Sequence, residues 1–270
     1  MQKSSIPPSP TRRSWRPRAQ AGLVLAIALG LCALGPARAE HLTLYAAAGV
    51  KAPVKDMARD FSAASGHTVK LVFDTAGAAE KQFLADPAAT FLVTTRSRIE
   101  AAEQNGQLGA GVTTNLGDTV GGFAVAAGQP KPDISTPDKL RAVLLAAPSI
   151  AFSDPARGAT IGAHFLQVIE ALGIKEQVLA KAVLAADGVQ TMHLVQQNKV
   201  ALGVTQISEI IQADPSTLLG PFPVEFDLAT TYSLWHKSDP SPAAEAFARL
   251  LASPQEQKKL LQHGLRASNP

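Results

Sequence analysis

The sequence predicts an α/β fold, and three observations carry that prediction. Short apolar segments alternate with longer amphipathic ones along residues 42–263. The amphipathic segments stop at glycines placed where helix C-caps belong, at Gly66, Gly106, Gly173 and Gly264. Aromatics make up only 5% of the chain, so the core must be built mainly from Ala, Val, Leu and Ile. Strands alternating with helices imply parallel sheets whose ligands bind at the carboxyl ends of strands.

Each element has its own warrant. Leu42–Ala46 is a short apolar strand. Lys51–Ser65 places Val54, Met57, Ala58 and Phe61 on one helical face. Thr68–Phe73 alternates Val69, Leu71 and Phe73 as a strand does. A helix over Ala78–Leu84, a buried strand over Phe91–Thr94 and a helix over Arg98–Asn105 follow. Gly122–Ala127 is predicted as a strand, and the proline-bearing Gln129–Ser135 as a loop. Thr136-Pro137-Asp138 supplies an N-cap with proline at the first helical position, opening a helix to Leu145. Ser149–Ser153 is a strand. Ala159–Leu172 is a helix carrying Ile161, Phe165, Val168, Ile169 and Leu172. Val189–Gln197 is a helix, and Val200–Thr205 and Leu228–Trp235 are strands. Pro242–Leu251 and Gln255–His263 are closing helices.

The first 39 residues have the pattern of an export leader. Arg12, Arg13, Arg16 and Arg18 precede an apolar run from Ala21 to Leu34, and Gly35-Pro36-Ala37-Arg38-Ala39 offers a small-x-small cleavage site. The run is shorter than the roughly 20 residues of a membrane span. The Arg12-Arg13 pair leaves secretory and twin-arginine export both open, and Cys32 lacks the small preceding residue of a lipidation motif. Cleavage after Ala39 removes six basic residues and no acidic one. The formal charge of +3 then becomes about −3, and the basic balance gives no ground for a nucleic-acid partner. Cys32 is the only cysteine, so the mature chain has no disulfide and no thiolate chemistry.

Three strand-to-helix turns are built from small residues: Ala46–Val50, Thr75–Ala78 and Asp154–Thr160. Free N–H groups at helix N-termini favour anions, and small side chains let a ligand reach the backbone. Tight packing explains small residues at any one such turn equally well.

On these residues the chain resembles the periplasmic substrate-binding proteins of molybdate-type ABC importers. Leu42–Ala48 resembles that family's opening strand, Phe73–Ala78 its second ligand loop, Ser153-Asp154-Pro155 with Gly158 and Gly162 its second-lobe loop, and Leu202–Ser208 its return strand. Ala246–Gly264 resembles its C-terminal helices. The resemblance implies a type II periplasmic binding fold of two lobes joined by two crossing strands, with the ligand cleft between them. Lobe 1 is expected over residues 40–118 plus 229–270, lobe 2 over 119–228. It further implies a monomer, periplasmic or otherwise exported after cleavage, that captures a small anion (a molybdate-like oxyanion or a related anion) for the membrane subunits of an ABC importer without cofactor or metal. The expected ligand residues are Ala48, Gly49 and Val50; Thr75, Ala76 and Gly77; Arg157, Gly158, Ala159 and Thr160; and Gln206. Three of these depart from the family: Gly49 and Ala76 stand where it has serines, and Gln206 where it has tyrosine. Thr75 or Thr160 could supply a hydroxyl, and Arg157 a bidentate guanidinium.

Two other classes compete. A periplasmic receptor that senses a small carboxylate would share this fold and site. An exported hydrolase is disfavoured, since the chain has no Gly-x-Ser-x-Gly elbow, no His-Glu-x-x-His and no P-loop. His164 and His193 lack the companions of a metal site. Glu209, just after a buried strand, is expected either to cap a helix or to face the cleft.

Overall fold

A computed structural model describes residues 38–268; the leader features at Arg12, Arg13, the apolar run and Cys32 lie outside them. In chain order the strands are β1 (His41–Ala47), β2 (Thr68–Asp74), β3 (Phe91–Thr95), β4 (Gly111–Ala124), β5 (Ile150–Ser153), β6 (Ala182–Ala185), β7 (Leu202–Gln206), β8 (Leu218–Pro221) and β9 (Ala229–Lys237). The helices are α1 (Lys51–Ser65), α2 (Ala76–Ala85), α3 (Arg96–Gln104), α4 (Pro137–Ala146), α5 (Thr160–Ala171), α6 (Lys175–Leu179), α7 (Gly188–Gln196), α8 (Ile207–Ala213), α9 (Pro242–Leu251) and α10 (Pro254–Gln262). Among the described residues no helix is long and apolar enough to cross a membrane.

Helix α1 shows how the sequence sets its elements. Val54, Met57, Ala58 and Phe61 are buried along one face, and Gly66 ends the helix at φ 75°, its N–H bonded to the Ser62 carbonyl. Helix α4 opens as the sequence predicts, with Thr136 Oγ1 accepting from the Lys139 amide and Pro137 in the first turn.

The strands form one continuous ribbon in the order β2-β1-β3-β9-β4-β7-β5-β6, with β8 also on β4. Strands β1, β2 and β3 are parallel, as are β5, β6 and β7. Between the two groups run the antiparallel strands β4 and β9. From Gly111 to Val120, β4 pairs with β9; from Gly121 to Ala124 it pairs with β7. The sequence missed the first part of β4, because Gly111, Asn115, Gly117 and Asp118 are poor strand formers. The long ladder with β9 overrides that preference, at the cost of an irregularity between Asn115 and Gly117.

The core is correspondingly divided. One apolar cluster gathers Leu44, Met57, Phe91 and Phe247, and another Phe123, Phe152, Phe165 and Phe222. Edge-to-face phenylalanine pairs tie helix to sheet in each, Phe91–Phe247 at 5.4 Å and Phe152–Phe165 at 5.1 Å. Burying each such ring contributes about 1.5–3 kcal/mol. The carboxyl ends of β1 and β2 in one half, and of β5 and β7 in the other, then deliver their turns to a common place.

Candidate functional site

A small cavity lies where those turns meet. Ala48, Thr75 and Ala76 line it from the first half; Ser153, Ala159, Thr160, Thr205, Gln206 and Glu209 line it from the second; Tyr232 enters from β9. Its volume is about 30 Å³, the scale of one water molecule. A larger occupant therefore requires the two halves to separate. Among the described residues no Lys, Arg or His lines the cavity.

Amide donors come from both sides. The first amides of α2 and α5, at Ala76, Thr160 and Ile161, have no intrahelical acceptor. Both helices exceed two turns, so their N-terminal ends carry partial positive charge. Other amides are already committed. Ala78 N–H donates to Thr75 Oγ1 at 3.1 Å, and Gly77 N–H donates across the halves to the Gly158 carbonyl at 3.1 Å. Thr75 Oγ1 in turn donates to the Arg157 carbonyl. The backbones of Gly77 and Gly158 touch: a Cβ on Gly77 would stand 2.8 Å from Gly158 Cα. Gly158 also has φ 76°, so glycine is required there on two counts.

The expected ligand residues thus divide by position. Ala48, Thr75, Ala76, Ala159, Thr160 and Gln206 line the inner cavity. Gly77, Arg157 and Gly158 instead line an outer groove of about 600 Å³, together with Asp74, Lys81 and Arg98. The Arg157 guanidinium is occupied. Its Nη2 contacts both oxygens of Asp74, at 2.9 and 3.0 Å, and its Nε donates to the Ala186 carbonyl at 3.0 Å. Arg157 belongs to the second half and Asp74 to the first, so this pair bridges the turns from outside the cavity. Gly49 and Val50 sit behind the cavity wall, Val50 fully buried.

Ser153, Thr205, Glu209 and Tyr232 line the cavity although the sequence did not point to them as ligand residues, and Gln212 supports it from outside. Gln212, on α8, ties the first turn and the start of α1 together: its Oε1 accepts from Ala52 N–H at 2.8 Å and its Nε2 donates to the Gly49 carbonyl at 2.7 Å. Tyr232 packs its phenol against Gly49, and only the absence of a side chain at residue 49 leaves room for it. Neither residue has a local sequence signal, because each reaches the site from far along the chain. Glu209 does carry a signal, and it meets both expectations for it: Oε2 accepts from the Gln206 amide at 3.2 Å, as a helix-capping residue does, while the side chain lines the cavity.

Burial dominates the electrostatics. Loss of water raises the Glu209 carboxyl from its ordinary 4.5 to about 7, with Asp187 adding like-charge repulsion; the hydrogen bonds from Thr205 and Gln206 pull the other way. Burial, then the charge of Glu209, pushes the Tyr232 phenol well above its ordinary value. The Gln206 amide oxygen is buried with no hydrogen-bond partner among the described residues, an unusual arrangement that a bound donor would relieve. No cluster of metal-ligating side chains occurs among the described residues; His164 bonds the Phe226 carbonyl and His193 bonds Gln197.

Comparison with known proteins agrees with this geometry. Residues 42–266 match the model of a bacterial extracellular solute-binding protein family. The chain is similar to aconitate isomerase from a Pseudomonas species, at 26% identity over 233 residues, 83% of this chain and 87% of that protein. Its fold resembles that of the Azotobacter vinelandii periplasmic molybdate-binding protein, with a TM-score of 0.68 at 17% identity, covering 84% of this chain and all of that one. Peb3 from Campylobacter jejuni shares it with a TM-score of 0.60 at 14% identity, again over 84% of this chain and all of that one. Two groups of parallel strands bridged by β4 and β9, with helix starts converging between them, are the architecture of type II periplasmic binding proteins, and the chain belongs to the bacterial extracellular solute-binding protein family.

Proposed function

We propose that the mature chain, exported and cleaved after Ala39, captures a small anion between residues 40–118 plus 229–270 on one side and 119–228 on the other. It then presents the anion to the membrane subunits of an ABC importer. The observation that carries this reading is the meeting of α2 and α5 N-terminal amides from opposite halves at one polar cavity. Separation and closure of two lobes is a known repertoire for such folds. Capture requires no cofactor and no chemical step.

The lining makes a small carboxylate a better first candidate than molybdate. Gly49 and Ala76 offer no hydroxyl, and Glu209 in the wall repels a fully ionised oxyanion at short range. Carboxylates spread their charge and can place one group on the amides and another away from Glu209. The similarity to aconitate isomerase makes aconitate the first carboxylate to try. The same chemistry would serve a periplasmic sensor of carboxylates.

Purified residues 40–270 should be melted with aconitate, other small carboxylates, molybdate, sulfate and phosphate. A ligand at 100 times its Kd adds about 2.7 kcal/mol of stability. A rise in Tm with at least one of these anions is expected, and no rise with any of them would overturn the capture reading.

A further inference from the structure

Glu209 is an unusual wall for a cavity that receives an anion. It is 8% exposed and carries the only ionisable carboxyl that the described residues bring to the lining. Its two hydrogen bonds, from Thr205 Oγ1 and the Gln206 amide, both fall on Oε2, so Oε1 has no partner among the described residues. The carboxyl group presses on Gly188 so closely that a Cβ there would overlap it, at 1.9 Å from Oε2. Gly188 opens α7, and its missing side chain is what lets Glu209 reach the cavity. The titratable groups facing Glu209 are Asp187, at the start of α7, and Tyr232, from β9. The Gln206 amide oxygen, 3% exposed and unpartnered, lines the same space.

Capping α8 uses only Oε2 of Glu209, and capture of an anion needs no second, unpartnered carboxyl oxygen in the wall. A buried carboxylate costs stability and opposes an anionic ligand, whereas a proton-transfer site needs a desolvated carboxyl with a free oxygen and, opposite it, donors for developing negative charge. The α2 and α5 amides at Ala76 and Thr160 are such donors.

We propose that this cavity moves a proton on its ligand, with Glu209 Oε1 as the base and a small unsaturated carboxylate bearing an activated C–H bond as the substrate. This rests on the reading that the cavity takes a small carboxylate. Oε1 takes a proton from the carbon next to the double bond: the C–H bond breaks and the O–H bond forms. The electron pair spreads over the allylic carbons into the conjugated carboxylate, whose oxygens meet the amides. Glu209 then returns the proton to the far allylic carbon, and the double bond has moved one position. No oxidant, reductant or second substrate is consumed. A carboxyl near neutrality suits both halves of the exchange, since it can take a proton and release it at comparable cost.

The test uses residues 40–270 with aconitate in D₂O, followed by proton NMR. Deuterium should enter the carbon adjacent to the double bond, and E209Q should lower that exchange at least 100-fold. A second readout needs no variant: exchange by the unaltered protein should rise tenfold per pH unit up to about pH 7 and level off above it. Aconitate that raises Tm without exchanging overturns the proposal and leaves the capture reading standing. Exchange that persists in a folded E209Q, or a flat pH profile, also overturns it. Aconitate that produces no Tm shift and no exchange overturns it at the binding step, and the remaining anions then decide the capture reading separately.

Discussion

The phenol of Tyr232 occupies the space that a side chain on residue 49 would need: a Cβ on Gly49 would stand 2.4 Å from Tyr232 Oη and 2.7 Å from its ring. A tyrosine on a crossing strand therefore compensates for the small residue in the first turn.

Gly49→Ala should accordingly cost about 1–3 kcal/mol, the usual penalty for overpacking. Tyr232→Ala in the same chain should recover part of that loss, and denaturant unfolding of the two single variants and the double variant measures the coupling. Additive losses would show that the two residues do not compete for the space.

Gly77→Ala should hold the halves apart. The new methyl would meet Gly158 Cα at 2.8 Å, and backbone cannot give way as a flexible side chain does. A larger radius of gyration in solution scattering and faster ligand release are expected. Scattering identical to that of the unaltered chain would mean the turns do not touch in solution.

Glu209 makes stability depend on pH with a definite sign. Its folded value of about 7 exceeds the ordinary 4.5, so between these limits the folded state binds more protons than the unfolded one. The contribution is present in full below about pH 4.5, falls as pH rises, and is lost above about pH 7. The slope is about 1.4 kcal/mol per pH unit, with a total of about 3 kcal/mol as an upper bound. Unfolding free energies measured from pH 4 to 8 should show this decline, and E209Q should flatten it.

Arg157→Ala should change anion affinity little. The guanidinium is spent on Asp74 and is half exposed, and such pairs contribute about 0.2–1 kcal/mol. Calorimetric titration should give a Kd within about fivefold of the unaltered chain. A loss of thirtyfold or more would place the guanidinium on the anion itself.

Much of the fold was legible because it depends on local pattern. The face of α1, the caps at Thr136 and Gly66 and the buried strand β3 follow from residues close in sequence. The first part of β4 was not legible, because its glycines and Asp118 speak against a strand and only the ladder with β9, more than 100 positions away at Val120–Ala229, makes it one. The site divides similarly. The turns holding Thr75 and Thr160 could be read from strand-to-helix punctuation, whereas Tyr232 and Gln212 arrive from distant segments. Arg157 could be read as a cation near the cleft, but its engagement by Asp74, 83 positions away, could not.

The pairing of Val120 with Ala229 has a consequence for the architecture. The two points where the chain leaves and re-enters the first half are neighbours across one ladder, about 5 Å apart. A tight β-hairpin joining the two strands at this point would keep the chain continuous without the residues between them. The second half could be exchanged for another of the same span without rethreading the first, which would renew one wall of the cavity and leave the wall of Ala48, Thr75 and Ala76 intact.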